Sequence, residues 1–118
     1  MKVIIQRVSY ASVSVDSATI ASINSGIVVF IGINYDDSEK DIHKVSKKIL
    51  ELRIFNDNNN KTNFNIQEVK GEILLISQFT LCADTKKGNR PSFIKAMEPK
   101  SAKILFNKLF SELINSGL

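Results

Sequence analysis

Apolar and polar positions divide the first third of the chain into short runs. Residues 3–8, 12–15, 19–23 and 27–33 concentrate β-branched side chains and are separated by polar or glycine breaks, which predicts four strands. The connections between them are short, so the spacing predicts a meander of sequential neighbours. The clearest turn is Asn24-Ser25-Gly26, because Asn and Gly tolerate positive φ at little steric cost. The period then changes. Ile42, Val45, Ile49 and Leu52 form one apolar stripe behind a Ser38 N-cap with Asp41 three residues on, and four lysines cover the rest, which predicts an amphipathic helix.

A short strand is expected over residues 53–55, followed by an Asn/Asp-rich exposed loop over 56–65. Residues 73–76 are a continuous apolar run, the pattern of a strand covered on both faces. From Pro99 onward Ala102, Leu105, Phe106, Leu109, Phe110, Leu113 and Ile114 recur at helical spacing. Pro99 suits the first turn and Ser116-Gly117 a stop. So broad an apolar face needs cover, and β-rich sheets packed against two helices supply it, an α+β arrangement in a single domain, residues 1–118.

Composition narrows the function classes. The 118 residues are 43% hydrophobic, enough for one real core. A net charge of +4 and a pI of about 9.3 favour a polyanionic partner. Cys82 is the only cysteine, which excludes an intrachain disulfide, and the Met-Lys start lacks a signal-peptide core. With no stretch long enough to cross a bilayer, a cytoplasmic protein without membrane association is expected. The single histidine, His43, lies mid-helix without partners at ligand spacing and is read as a solvated helix residue. No metal or organic cofactor is expected, and no P-loop or dinucleotide fingerprint is present.

The most informative stretch runs from Glu72 to Phe93. An apolar strand passes straight into Ser77, Gln78 and Thr80, three hydrogen-bonding side chains around Phe79, and then into a turn-rich basic segment, Asp84-Thr85-Lys86-Lys87-Gly88-Asn89-Arg90-Pro91. If the strand continues, Ser77 and Phe79 point one way and Gln78 and Thr80 the other. Cys82 has no histidine near it in sequence and reads as a small apolar residue on a strand end. No conventional triad can be assembled, so a hydrolase built here would lean on position and hydrogen-bond donors.

SQFTL at 77–81 followed by DTKKGNRPSF at 84–93 resembles the D-aminoacyl-tRNA deacylase family, as do the opening MKVIIQRVSYASVS and LRIFND at 52–57. The resemblance implies mixed sheets layered as a sandwich or half-barrel, with both helices on one side, assembled as a homodimer. It implies hydrolysis of the ester of D-aminoacyl-tRNA, and of glycyl-tRNA mischarged on tRNA(Ala), without cofactor. Thr80, Ser77 and Gln78 would carry or border the chemistry, and Phe79, Phe93, Pro91 and Arg7 the substrate contacts. Lys86, Lys87 and Arg90 would hold the tRNA acceptor end, with no DNA partner expected. The family's other signature, a Gly-Pro pair within an Asn-x-Gly-Pro-Val-Thr run, lies nearer its C-terminus. The two prolines here follow Arg90 and Glu98 instead, so the domain is expected to be C-terminally incomplete relative to the family. A catalytically silent RNA-binding domain of the same fold, or a dimeric structural protein, are the alternative classes.

Overall fold

A computed structural model describes residues 1–118. Its centre is a mixed three-stranded sheet of order β1-β4-β7, formed by Lys2–Val8, Gly26–Gly32 and Glu72–Ser77. β1 and β4 are antiparallel with Lys2 opposite Gly32, and β4 and β7 are parallel with Ile27 beside Ile73 and Ile31 beside Ser77. β2 (Ala11–Val15) and β3 (Ala18–Ile23) pair only with each other, across a two-residue turn in which Asp16 and Ser17 both take positive φ, at 49° and 65°. The expected meander is therefore wrong. The hairpin folds over one face of the sheet, and the chain returns to lay β4 beside β1.

β4 lies mid-sheet and is covered on both faces, which is why GIVVFIG is almost unbroken in its apolarity. Ile27, Val29 and Ile31 join Ile42 and Ile49 of α1 (Glu39–Glu51) and Leu105, Leu109 and Leu113 of α2 (Pro99–Asn115) in the main core. On the opposite face Val28 and Leu74 meet Ile23 of the hairpin. Helices, sheet and hairpin thus form layers with both helices on one side, the α+β arrangement expected.

Both helices begin as their sequences require. The Asp41 carboxylate accepts the Ser38 backbone N–H at 2.8 Å, the reciprocal half of a capping box. Glu98 caps α2 by accepting from the Lys100 and Ser101 amides, both at 3.1 Å, with Pro99 in the first turn. His43 is exposed but contacts Glu112 of α2, and Lys108 reaches back to pair with Glu39, so polar contacts tie the helices together at their rims.

Two local expectations are corrected. The strand placed at 53–55 is β5 at Phe55–Asn56, and the segment read as loop contains β6 at Thr62–Phe64, its hairpin partner. Arg53 instead donates to the Asn63 carbonyl at 2.8 Å, while Asp57 collects the amides of Asn59 and Lys61 to make the turn. Gly26 is not a positive-φ residue. It is buried where β7 begins, and a Cβ there would overlap the Glu72 carbonyl oxygen and lie 2.6 Å from the Glu72 nitrogen.

Candidate active site

β7 does not run on through Thr80. It ends at Ser77, and Phe79–Cys82 close into a 3₁₀ turn. The reason lies in β4. Gly32 has no side chain, and a Cβ there would sit 2.8 Å from the Leu81 Cβ and 3.1 Å from both the Cys82 sulfur and the Gln78 carbonyl oxygen, so the turn packs directly on the strand end. Gln78 donates its amide to the Ile31 carbonyl at 2.8 Å as the last rung of the sheet, and the Leu81 amide closes the turn on Gln78 at 3.2 Å. The Phe79 and Thr80 amides precede that first closing bond, the place where the start of any helix leaves donors without intrahelical partners.

The side chains divide as alternation predicts, although the strand has ended. Ser77 and Phe79 line a cavity of about 480 Å³ together with Phe93 and, from the start of α2, Ala102, Lys103 and Phe106. Gln78 and Thr80 are not in its wall, and the Gln78 side-chain amide donates to the Thr80 hydroxyl oxygen. Phe79 and Phe93 meet edge to face, with centroids 5.3 Å apart and planes at 67°, yet stay 58% and 39% exposed. An apolar rim thus remains open beside the polar strand end.

The basic loop is closed by reciprocal backbone bonds between Asp84 and Ser92, at 2.7 and 2.8 Å. The Asp84 carboxylate accepts the Lys86 amide at 2.9 Å and pairs with Lys95 at 3.4 Å. Those two bonds, the Lys86 amide first, hold its carboxyl below the usual carboxylate range. Lys86, Lys87 and Arg90 are exposed and in no ion pair, so three cations face solvent on a loop pinned at its neck. Pro91 is exposed on the same loop and does not line the cavity. After the loop, Met97 donates to the Ile33 carbonyl at 2.9 Å, fixing the entry to α2 against the end of β4.

One expected participant lies elsewhere. Arg7 stands opposite Ile27 on β1, four residues along the sheet from the Ile31–Ser77 pair, which is roughly 13 Å at the rise of a strand. Its guanidinium donates to the Ile54 carbonyl at 2.9 Å, so within one chain it holds the segment before β5 rather than the cavity. Cys82 is in the 3₁₀ turn rather than on a strand, is 2% exposed, and burial pushes its thiol up, the opposite of an activated nucleophile. Met97, Lys103 and Phe106 line the cavity and were not singled out from sequence. Phe106 shares the helical stripe that reads as core, and nothing in the spacing marks it as a cavity wall.

The chain is similar to known proteins along nearly its whole length. The family model described as D-Tyr-tRNA(Tyr) deacylase matches residues 4–118. A D-aminoacyl-tRNA deacylase from Thermodesulfovibrio yellowstonii is 48% identical over 118 residues, all of this chain and 81% of the relative. One from Aquifex aeolicus is 49% identical over the same 118 residues, 80% of its length. Among solved structures, a c-Myc DNA Unwinding Element Binding Protein superposes with a TM-score of 0.93 at 38% identity, covering 98% of this chain and 78% of that one. A probable eukaryotic D-amino acid tRNA deacylase shares the fold, with a TM-score of 0.84 at 16% identity over 98% of this chain and 68% of its own.

Proposed function

The chain belongs to the D-Tyr-tRNA(Tyr) deacylase family, and from that membership we propose that it hydrolyses the ester joining a D-amino acid to the terminal ribose of tRNA, releasing both. Relatives 48% and 49% identical along all 118 residues support the reaction class. The observation that carries the site is the end of β7, where a polar strand terminus, free-edged aromatics and turn amides sit beside a pinned loop with three unpaired cations.

Water attacks the ester carbonyl, the carbon–oxygen bond to the ribose breaks, and the ribose oxygen leaves with a proton. The Phe79 and Thr80 amides are the donors assigned to the developing oxyanion, worth on the order of a hundredfold or more each in such a role. Ser77 borders the ester on the cavity side. Gln78 fixes the Thr80 hydroxyl, which positions water or the ester from the other side. Phe79 and Phe93 give the terminal nucleoside an apolar, stackable rim. Lys86, Lys87 and Arg90 meet acceptor-end phosphates, and Pro91 stiffens the loop that presents them. No metal or organic cofactor has a part in this scheme.

Selection for D over L follows if a rigid wall fills the space an L side chain would enter. Glycine has no side chain to exclude, so glycyl-tRNA mischarged on tRNA(Ala) is a second substrate. A homodimer would bring a second chain to the open side of the site, with Arg7 supporting the wall there, and residues 1–118 act as one cytoplasmic domain. A second reading, nucleic-acid binding without turnover, is favoured by the relative named for binding a DNA element. Release of labelled D-tyrosine from D-tyrosyl-tRNA tests the choice, with the Lys86→Glu/Lys87→Glu/Arg90→Glu variant alongside. Turnover whose KM rises in the variant supports hydrolysis at this site, and salt-sensitive binding with no release supports the second reading.

A further inference from the structure

The outer face of α1 carries an unbalanced row of positive charge. Lys40, Lys44, Lys47 and Lys48 are exposed, and none of the four is in an ion pair. At 3.6 residues per turn they fall within an arc of about 100°, on the side away from the buried Ile42 and Ile49. Lys44 has a lysine four residues before it and others three and four residues after it, neighbours whose repulsion destabilises a helix. Lys40 sits in the first turn, where the helix dipole disfavours a cation. The nearby carboxylates are engaged or displaced. Asp41 accepts from the Ser38 amide at 2.8 Å, Glu39 pairs with Lys108, and Asp36 and Glu51 lie off the two ends of the row.

The row is placed to follow a polyanion out of the cavity. Lys108 reaches Glu39, His43 contacts Glu112, and Lys47 and Leu50 share a groove with Asn115 and Ser116, so α1 and α2 run parallel. In that register Lys40 stands level with Leu109, about 5 Å along the axis beyond Phe106 of the cavity wall, and Lys48 about 12 Å further on. One helix spacing, about 8–10 Å, separates the two axes. Between cavity and row α2 presents Lys103, Asn107, Lys108 and Ser111, and the carboxylate there, Glu112, contacts His43. No large apolar or aromatic side chain of α1 is exposed, so the row offers nothing on which single-stranded bases could stack and nothing to enter a bilayer. Regularly spaced cations on a convex face, without stacking groups, fit the phosphates of a duplex.

We propose that Lys40, Lys44, Lys47 and Lys48 form a second RNA contact, a ridge that holds phosphates of the acceptor-stem duplex while the 3′ end of the same tRNA occupies the cavity at the end of β7. This rests on the reading of tRNA as substrate and extends it from the acceptor end to the stem. The test is binding of two RNAs over a salt series: a hairpin carrying the acceptor-stem duplex with its single-stranded 3′ tail, and the tail alone. Lys44→Gln/Lys48→Gln is compared with Lys61→Gln/Lys70→Gln, which removes the same charge from exposed positions outside the helices. The ridge variant should bind the hairpin about tenfold or more weakly at about 0.1 M salt, with the log–log salt dependence flattened by about 2, and bind the tail as the wild type does. It should melt no lower than the wild type, because the substitutions remove like-charged neighbours. Equal weakening by the control pair, or on the tail, would mark a general effect of net charge and overturn the proposal. So would unchanged hairpin binding by the ridge variant while Lys86→Glu/Lys87→Glu/Arg90→Glu weakens it, a result that leaves the substrate reading standing. Failure of the folded wild-type chain to bind the hairpin at all overturns the substrate reading and this contact with it.

Discussion

Substituting Gly26 by alanine tests the strand pairing on which the site depends. The added methyl would overlap the Glu72 carbonyl oxygen and sit 2.6 Å and 2.7 Å from the Glu72 nitrogen and carbonyl carbon, all backbone of the strand that ends at Ser77. Rotating a side chain cannot relieve this, so β4 and β7 must part where they start. Overpacking a core costs about 1–3 kcal/mol, and a collision with backbone belongs at the top of that range. Gly71→Ala is the built-in control. Its Cβ would meet chiefly the Ile66 Cδ1, at 2.6 Å, the far end of a side chain that can rotate away, so about 1 kcal/mol is expected. For a domain of this size the two costs correspond to melting shifts of roughly 10–15 °C and roughly 4 °C. Urea and thermal denaturation followed by circular dichroism would measure both. If Gly26→Ala melts with the wild type, or no lower than Gly71→Ala, the parallel β4–β7 register described here is wrong.

Other substitutions address the site. Reversing Lys86, Lys87 and Arg90 to Glu should leave the melt unchanged, since all three are exposed and unpaired, and should flatten the dependence of log tRNA affinity on log salt by about 2. Phe93→Ala removes the edge-to-face partner of Phe79, a contact worth about 0.5–1.5 kcal/mol, so KM should rise by roughly three- to tenfold with little change in kcat. Thr80→Val deprives the Gln78 amide of its acceptor; if backbone amides do the main work, kcat falls by less than about tenfold, whereas a loss beyond a hundredfold would make the hydroxyl itself the oxyanion donor. Asp41, Asp57, Asp84 and Glu98 are all held below their ordinary values of 3.8 and 4.5, chiefly by backbone amides. Carboxyls depressed on folding stabilise the native state fully above the unfolded value and lose that contribution as pH falls through the folded one. An acid titration should therefore show no loss from these groups down to about pH 4.5 and a progressive loss below it, with Asp84→Asn opening the 84–92 loop at neutral pH, seen as faster amide exchange at Asp84 and Ser92.

How far the sequence reveals these features depends on which interaction sets each one. α1 and α2 were legible because caps and a 3.6-residue stripe are local, and Ser38, Asp41, Pro99 and Gly117 act where the chain places them. Strands 1 to 4 were legible as strands but not as partners. A period of two tells which face a residue takes and is silent on which strand lies beside it, so β1 was assigned to β2 when it pairs with β4. The turn at Phe79 was hidden because its cause lies 47 residues earlier at Gly32, a glycine inside an apolar run whose missing side chain admits Leu81 and Cys82. That glycine was the available signal. Chemistry fared likewise. The Ser77 to Phe93 stretch stood out because polar side chains interrupt a core strand, while Phe106 and Lys103 reach the same cavity from a helix whose pattern only says that one face is buried.

The most direct test of the central claim is the initial hydrolysis rate of D-tyrosyl-tRNA against L-tyrosyl-tRNA by the 118-residue chain, with Thr80→Ala measured alongside. Release of D-tyrosine well above that of L-tyrosine is expected, with turnover retained in the variant because the amides of Phe79 and Thr80 remain. Equal rates on the two substrates, or no release from a folded chain that binds tRNA, would contradict it.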